Sequence, residues 1–201
     1  MSSGERSAVA GLRERNRART RAEIRAAALR LISEQGYAAT TVDQIAKAAD
    51  VSPSTFFRYF PTKEDAVMVD DLDAPMIEAF RRQPPEVSPL DAFRAVMQEV
   101  YGGMPEEVRE QERMRIRIVL QTPELRDRML GSLGETITML AGIIAERVGR
   151  SPDDPKVVHF AGALTGVVLA AMFRANALDP DVDPLRLSEE AINDLADGLP
   201  L

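Results

Sequence analysis

The chain has 201 residues, 45% of them hydrophobic, and no Cys, which allows one large or two modest domains and excludes a disulfide framework or a thiolate zinc site. Its N-terminus, MSSGERSAVAGLRERNRART, lacks the apolar core of a signal peptide, so a cytoplasmic protein is expected. The net charge of −7 hides a segregation, since residues 1–63 carry 11 Lys/Arg against 6 Asp/Glu and residues 64–201 carry 14 against 26.

About nine helices and no strand are expected, an all-α chain. A flexible basic arm over residues 1–17 leads into a helix near 18–35. There Ile24, Ala27, Ala28, Leu31 and Ile32 form one apolar stripe and Gly36 is the stop. A short helix follows near Val42–Ala49. Its Val42, Ile45, Ala46 and Ala49 recur at i, i+3, i+4 and i+7, and Thr41 with Gln44 has capping-box spacing. Asp50 is a turn residue that can accept a left-handed backbone. Ser52 as N-cap and Pro53 as first helical residue open another short helix ending near Tyr59, with Phe56 and Phe60 in the core. Two short helices on a tight turn, the second crowded with hydroxyls, aromatics and cations, are the parts of a helix-turn-helix that reads the major groove.

The next helix is capped by Thr62 and runs to about Arg82, leaving the first domain (1–63) for the second (64–201). The segment QPPEVSP (83–89) breaks the chain. Helices are then expected near 89–102, 105–121, 123–148 and 155–178, and from the Asp-Pro at 183–184 to near Gly198. Val157–Phe173 is apolar apart from His159 and Thr165. That is at the lower limit of about 17 residues for a membrane span and lacks aromatic belts, so a fully buried helix is expected. Gly162, Gly166 and Ala170 allow another helix to approach closely, and Leu187, Ile192, Leu195 and Leu199 can cover part of the surface.

Chemistry assigns roles within this layout. The first amides of the second helix, with Thr41, suit a phosphate. Pro53, Ser54 and Thr55 open the reading helix, where hydroxyls serve either donors or acceptors on base edges. Phe57 points toward the groove or packs on the first helix. Arg58 meets phosphate or pairs with Asp43, and Lys47 faces solvent. The basic end of the chain faces the duplex, because phosphate attraction supplies most non-specific affinity. His159 is the only histidine, and no Ser/His/Asp set, metal-ligand cluster or phosphate loop accompanies it. No catalytic residue, metal or cofactor is expected. The second domain is rich in Met, which suits an adaptable cavity or an ordinary core. A cavity is expected along Met97, Tyr101, Arg117, Ile118, Gln121, Leu133, Ile137 and Leu164. Arg113 and Arg117 share a helix face and either meet an anion or pair with Glu106, Glu110 or Glu112.

Thr41-Val42, Ile45-Ala46, Ala48-Ala49, Val51-Ser52, Thr55-Phe56-Phe57, Tyr59-Phe60-Pro61 and Lys63, preceded by Gly36-Tyr37, stand in an order and spacing that resembles the tetracycline-repressor (TetR) family of bacterial regulators. The resemblance covers about residues 18–66; the remainder matches in length and helical layout. Asp50 stands where that family usually has Gly, and Pro53-Ser54 replaces a common Lys-Gly pair, which bears on the operator sequence rather than on the binding mode. The resemblance assigns Tyr59 and Lys63 to phosphates. It implies a C2 homodimer through the last two expected helices, suited to a palindromic operator with half-sites about 34 Å apart. The segment ERMRIRIVLQTPELRDRML (112–130) resembles an actinobacterial subgroup associated with acyl-coenzyme A ligands. The expected protein is an all-α homodimeric repressor that leaves double-stranded DNA when a small apolar or acyl ligand, such as a fatty acyl-coenzyme A, binds. The alternatives are a constitutive or architectural DNA-binding protein without an effector, or an activator.

Overall fold

The computed structural model describes residues 3–68, 73–177 and 182–200. Among the described residues there are eleven helices and no strand, in two compact units, Met1–Val69 and Asp70–Leu201.

The first unit holds α1 (Ser3–Gln35), α2 (Val42–Ala48), α3 (Pro53–Tyr59) and α4 (Asp65–Met68). Its core gathers Ile24, Ala27 and Ala28 of α1, Ile45 and Ala46 of α2, and Phe56, Phe60 and Ala66. The stripe expected on the first helix is therefore the buried one. The helix itself starts at Ser3 rather than near residue 18, so residues 3–17 of the segment expected as a flexible arm are helical. That segment has four Arg, two Ala, two Glu and one Leu, all of which favour helix, and contains no Pro. Gly36 ends α1 at φ +86°, and Asp50 takes the left-handed turn position at φ +53°. Ala66 joins this core, which carries the first unit to Val69, beyond the expected boundary at residue 63.

The second unit holds α5 (Asp73–Arg82), α6 (Pro89–Gly102), α7 (Glu106–Gln121), α8 (Pro123–Gly131), α9 (Leu133–Val148), α10 (Pro155–Ala177) and α11 (Pro184–Ala196). Two of the expected helices are each represented by a pair. The one expected over 63–82 comprises α4 and α5, with 69–72 outside the described residues. The one expected over 123–148 is α8 and α9, bent by 42°. The bend falls at Ser132, whose hydroxyl donates to the Met129 carbonyl at 2.9 Å in place of a continued helical turn. One core cluster joins α5, α6, α9 and α10 through Phe80, Val96, Ile144, Val157 and Ala161. A second joins Met97 of α6, Leu164 of α10 and Ile192 of α11.

Helix α10 departs from expectation. It is not fully buried. Val157, Ala161, Leu164, Ala171 and Ala175 are covered, while Val158, His159, Ala163, Gly166 and Ala170 are exposed. The reason is geometric: its main partners, α9 and α11, cover one side of an apolar cylinder. Leu187 and Ile192 of α11 are buried as expected, but Leu199 lies past the end of that helix and is 50% exposed.

The loop between α5 and α6 is held by Arg147 of α9. Its guanidinium donates to the carbonyls of Gln83 (3.2 Å), Val87 (2.8 and 3.2 Å) and Pro84, and lies 5.3 Å from the Phe80 ring centre. These carbonyls belong to the loop between α5 and α6, where Val87 N also donates to Pro84 O at 3.1 Å. Arg147→Ala should lower unfolding stability by roughly 2–3 kcal/mol, the scale of charge-assisted hydrogen bonds left unmade. Urea denaturation checks this, with Arg147→Lys recovering only part of the loss because it cannot fork between carbonyls.

Candidate functional site

The reading head is organised by short-range hydrogen bonds. Thr41 caps α2: its hydroxyl accepts from Gln44 N at 3.2 Å, and Gln44 Oε1 accepts from Thr41 N at 2.9 Å. Gln35 of α1 donates to Gln44 Oε1 at 3.0 Å and to Thr40 Oγ1 at 3.2 Å. Thr40 is buried, and its hydroxyl donates to the Gly36 carbonyl at 2.8 Å. The start of α2 is thus fixed to the end of α1.

Helix α3 carries its hydroxyls as a cluster. Ser52 Oγ accepts from Thr55 N at 3.1 Å, lies 2.9 Å from Ser54 Oγ and donates to Thr55 Oγ1 at 3.0 Å. Pro53 and Ser54 are exposed beside them. Phe57 is 52% exposed, with its ring edge-on to Phe56 at 5.5 Å, so it faces outward instead of packing on α1. An exposed Phe beside hydroxyl groups is suited to thymine methyl groups and base edges. The Arg58 guanidinium lies 5.4 Å from the Tyr59 ring centre, and among the described residues it makes no ion pair with Asp43. Lys47 is exposed, as expected.

Lys63 also closes a clasp. Its ammonium donates to the carbonyls of Tyr37 (2.7 Å) and Thr40 (2.9 Å) and sits 3.8 Å from the Tyr37 ring centre. The Tyr37 hydroxyl donates to Glu64 Oε1. That hydrogen bond holds the Glu64 carboxyl below its ordinary pKa, against the opposing effect of partial burial; Lys63 and local hydrogen bonds add to the lowering. This clasp joins the turn after α1 to the turn before α4. Tyr37 and Glu64 are not legible as functional candidates in the sequence because the contact spans 27 residues. The adjacent Lys63-Glu64 pair opposite Gly36-Tyr37 is the only signal.

In the second unit the expected ligand residues separate. Met97 and Leu164 are packed against Ile192, 4% and 1% exposed, with Tyr101 against the same cluster. Ile137 packs on the α5–α6–α9–α10 core, Ile118 is buried and Leu133 half-buried. Arg117 and Gln121 do meet, at a concavity of about 140 Å³ between α7, α10 and α11 that Arg113 and Asn176 also line. Arg113 donates to Glu106 at 2.5 Å and to Asp183 at 3.4 Å. Its hydrogen bond to Glu106, with the charge of Asp183, raises its pKa further despite partial burial. Of the two readings of Arg113, pairing with Glu106 is the one present. A separate apolar crevice of about 60 Å³ is lined by Met76, Ile77, Phe80, Phe93, Met139, Leu140 and Ile143. Among the described residues no group of three His, Asp or Glu could hold a metal ion.

Residues 24–67 match the family model described as bacterial regulatory proteins, tetR family, and residues 87–200 match the MftR C-terminal domain. The chain is 36% identical over 194 residues to the HTH-type transcriptional regulator TcmR of Streptomyces glaucescens, covering 92% of this chain and 85% of that one. It is 30% identical over 154 residues to the HTH-type transcriptional regulator EthR of Mycolicibacterium smegmatis, covering 71% and 68%. Among solved structures, Thermus thermophilus FadR in complex with lauroyl-CoA superposes with a TM-score of 0.55 at 25% identity, over 90% of this chain and 95% of that one. The SmeT–triclosan complex shares the fold, with a TM-score of 0.60 at 21% identity over 90% and 94%.

The clasp generates a pH prediction. Glu64 has a folded pKa below its unfolded one, so the stability it contributes is present above the unfolded value and lost as pH falls through the folded value. Acid unfolding followed by circular dichroism should therefore be less steep in Glu64→Gln and in Tyr37→Phe than in the parent, with the gap confined to pH below the ordinary glutamate range.

Proposed function

Because the chain belongs to the TetR family of bacterial transcriptional regulators, we propose that it is a homodimeric repressor, released from a palindromic operator by a small apolar or acyl ligand. It is a DNA-binding regulator and not an enzyme. The observation that carries the base-reading assignment is the exposed Phe57 beside the Ser54 and Thr55 hydroxyls at the start of a capped α3. In this reading Pro53, Ser54, Thr55 and Phe57 face the major groove. Thr41, Arg58, Tyr59 and Lys63 position the head on phosphates, Lys63 with the one N–H its two carbonyl partners leave over.

The bare side of α10 supports a two-fold partner. A Cβ added at Gly162 or Gly166 would meet nothing within 4 Å, so both glycines offer backbone for close approach by a second copy of α10 and α11. The apolar crevice lined by Met76, Phe80, Phe93, Met139 and Ile143 supports an effector site, since apolar walls suit an acyl chain. The tight packing of Met97 and Leu164 instead favours a constitutive DNA-binding protein, and ligand-induced release from the operator decides between them. The protein acts in the cytoplasm, where such regulators meet the chromosome.

Thr55→Ala and Phe57→Ala should each cost about 1–3 kcal/mol on the operator, and much less on random DNA. Equal losses on both, read by fluorescence anisotropy, would assign these residues to the backbone or to folding. Gly166→Leu should yield a monomer in sedimentation at micromolar concentration, with a folded head and no tight operator binding. A native monomer that still binds a palindrome tightly would refute the dimer.

A further inference from the structure

The concavity between α7, α10 and α11 lies apart from the apolar crevice, and three features give it a chemistry. Its apolar lining includes Ile116, Leu120 and Pro184, and Arg113 lines it as well. Asn176 lines it, and its buried Oδ1 accepts no hydrogen bond among the described residues. Such an oxygen is satisfied when a ligand brings an N–H or O–H. Third, the two carboxylates on Arg113 are held unequally: Glu106 at 2.5 Å and Asp183 at 3.4 Å.

Resting on the effector-released repressor reading above, we propose that this concavity takes the anionic end of the effector, and that Arg113 exchanges Asp183 for it. The longer contact is the one an incoming carboxylate or phosphate displaces. Asp183 is also the N-cap of α11, where its Oδ1 accepts from Leu185 N at 2.9 Å. The cap therefore survives the exchange, while the ionic tie between α7 and α11 is given up. Effector and tie compete for one guanidinium, so the conformation with the tie open binds the effector better. That difference in affinity is what a ligand needs in order to shift a population. Because α11 also belongs to the proposed dimer surface, loss of the tie is felt where the two protomers meet.

The test titrates the full-length protein, by calorimetry, with lauroyl-CoA, free coenzyme A, dodecanoate and dodecanol. The parent is compared with Arg113→Gln and with Asp183→Asn, which keeps an equally good N-cap but removes the charge. Arg113→Gln should weaken the anionic ligand by about tenfold, the scale of a charge-assisted hydrogen bond. Asp183→Asn should tighten the same ligand by about threefold, the scale of a partly exposed ion pair, a gain that damage to the fold cannot imitate. Dodecanol should bind all three alike. A response confined to lauroyl-CoA and free coenzyme A identifies phosphate as the anion; a response confined to dodecanoate identifies carboxylate. If lauroyl-CoA or dodecanoate binds the parent and both variants within twofold, the Arg113 exchange is wrong while the sensor reading stands. If no probe binds the parent, the acyl-sensor reading falls and this proposal with it.

Discussion

The second unit is organised by a helix that its described residues cover on one side. Apolar residues occupy nearly the whole circumference of α10, and such a helix must be buried all round. α9 supplies Ala141, Ile144 and Ala145 to the core on its packed side, and α6 and α11 close around Leu164. On the other side Val158, Ala163, Gly166 and Ala170 remain exposed. These residues are small, so an isolated protomer tolerates their exposure better than it would a row of Leu. The same smallness lets a second helix backbone come near. A two-fold operation is the economical answer, because a self-complementary face needs no other partner sequence. The dimer proposed above is thus a consequence of a core left half built.

The first unit solves a different problem, that of holding two seven-residue helices at a fixed angle. Neither α2 nor α3 would be stable alone at that length. Apolar anchors at Ile45, Phe56 and Phe60 supply the packing. Direction comes from polar groups: Gln35 ties α1 to Gln44 of α2, and Lys63 ties down the two carbonyls that precede α2. A head fixed in this way orders little on meeting DNA, which leaves more of the contact energy for discrimination between sequences. Lys63 therefore holds the turn that leads into α2.

The legible part of this molecule is local. Capping by Thr41 and Ser52, the left-handed Asp50, the stop at Gly36 and the outward Phe57 are each set by residues within one turn of each other, and the structure has all of them. The illegible part is what distant segments do to one another. The Tyr37–Glu64 contact and the hold of Arg147 on residues 83–87 join positions far apart in the chain, and no periodicity announces them. The expected cavity shows the same limit. Apolar residues on α6, α9 and α10 are assigned by pattern to a single space, yet Met97 and Leu164 meet each other with Ile192 between α6, α10 and α11, while Ile137 packs elsewhere. An apolar residue on a helix face reads the same in sequence whether it lines a ligand or a neighbouring side chain.

The closeness of that packing bears on how an effector would act. Small-molecule sites commonly have about 300 Å³ or more, whereas the apolar crevice has about 60 Å³ and the concavity beside Arg113 about 140 Å³. On the proposed reading, an acyl chain would therefore have to part Phe80, Phe93 and Met139 before it could be enclosed. Parting them sacrifices packing between these side chains, which weakens the ligand's apparent affinity and also defines a second arrangement of α5, α6 and α9. A pocket already open in every state would bind a ligand well and transmit nothing, because equal affinity for two states shifts neither. On the proposed reading, a crevice that must open couples occupancy to helix movement. The flexible Met76 and Met139 at its walls, unbranched and able to repack, set how readily it opens.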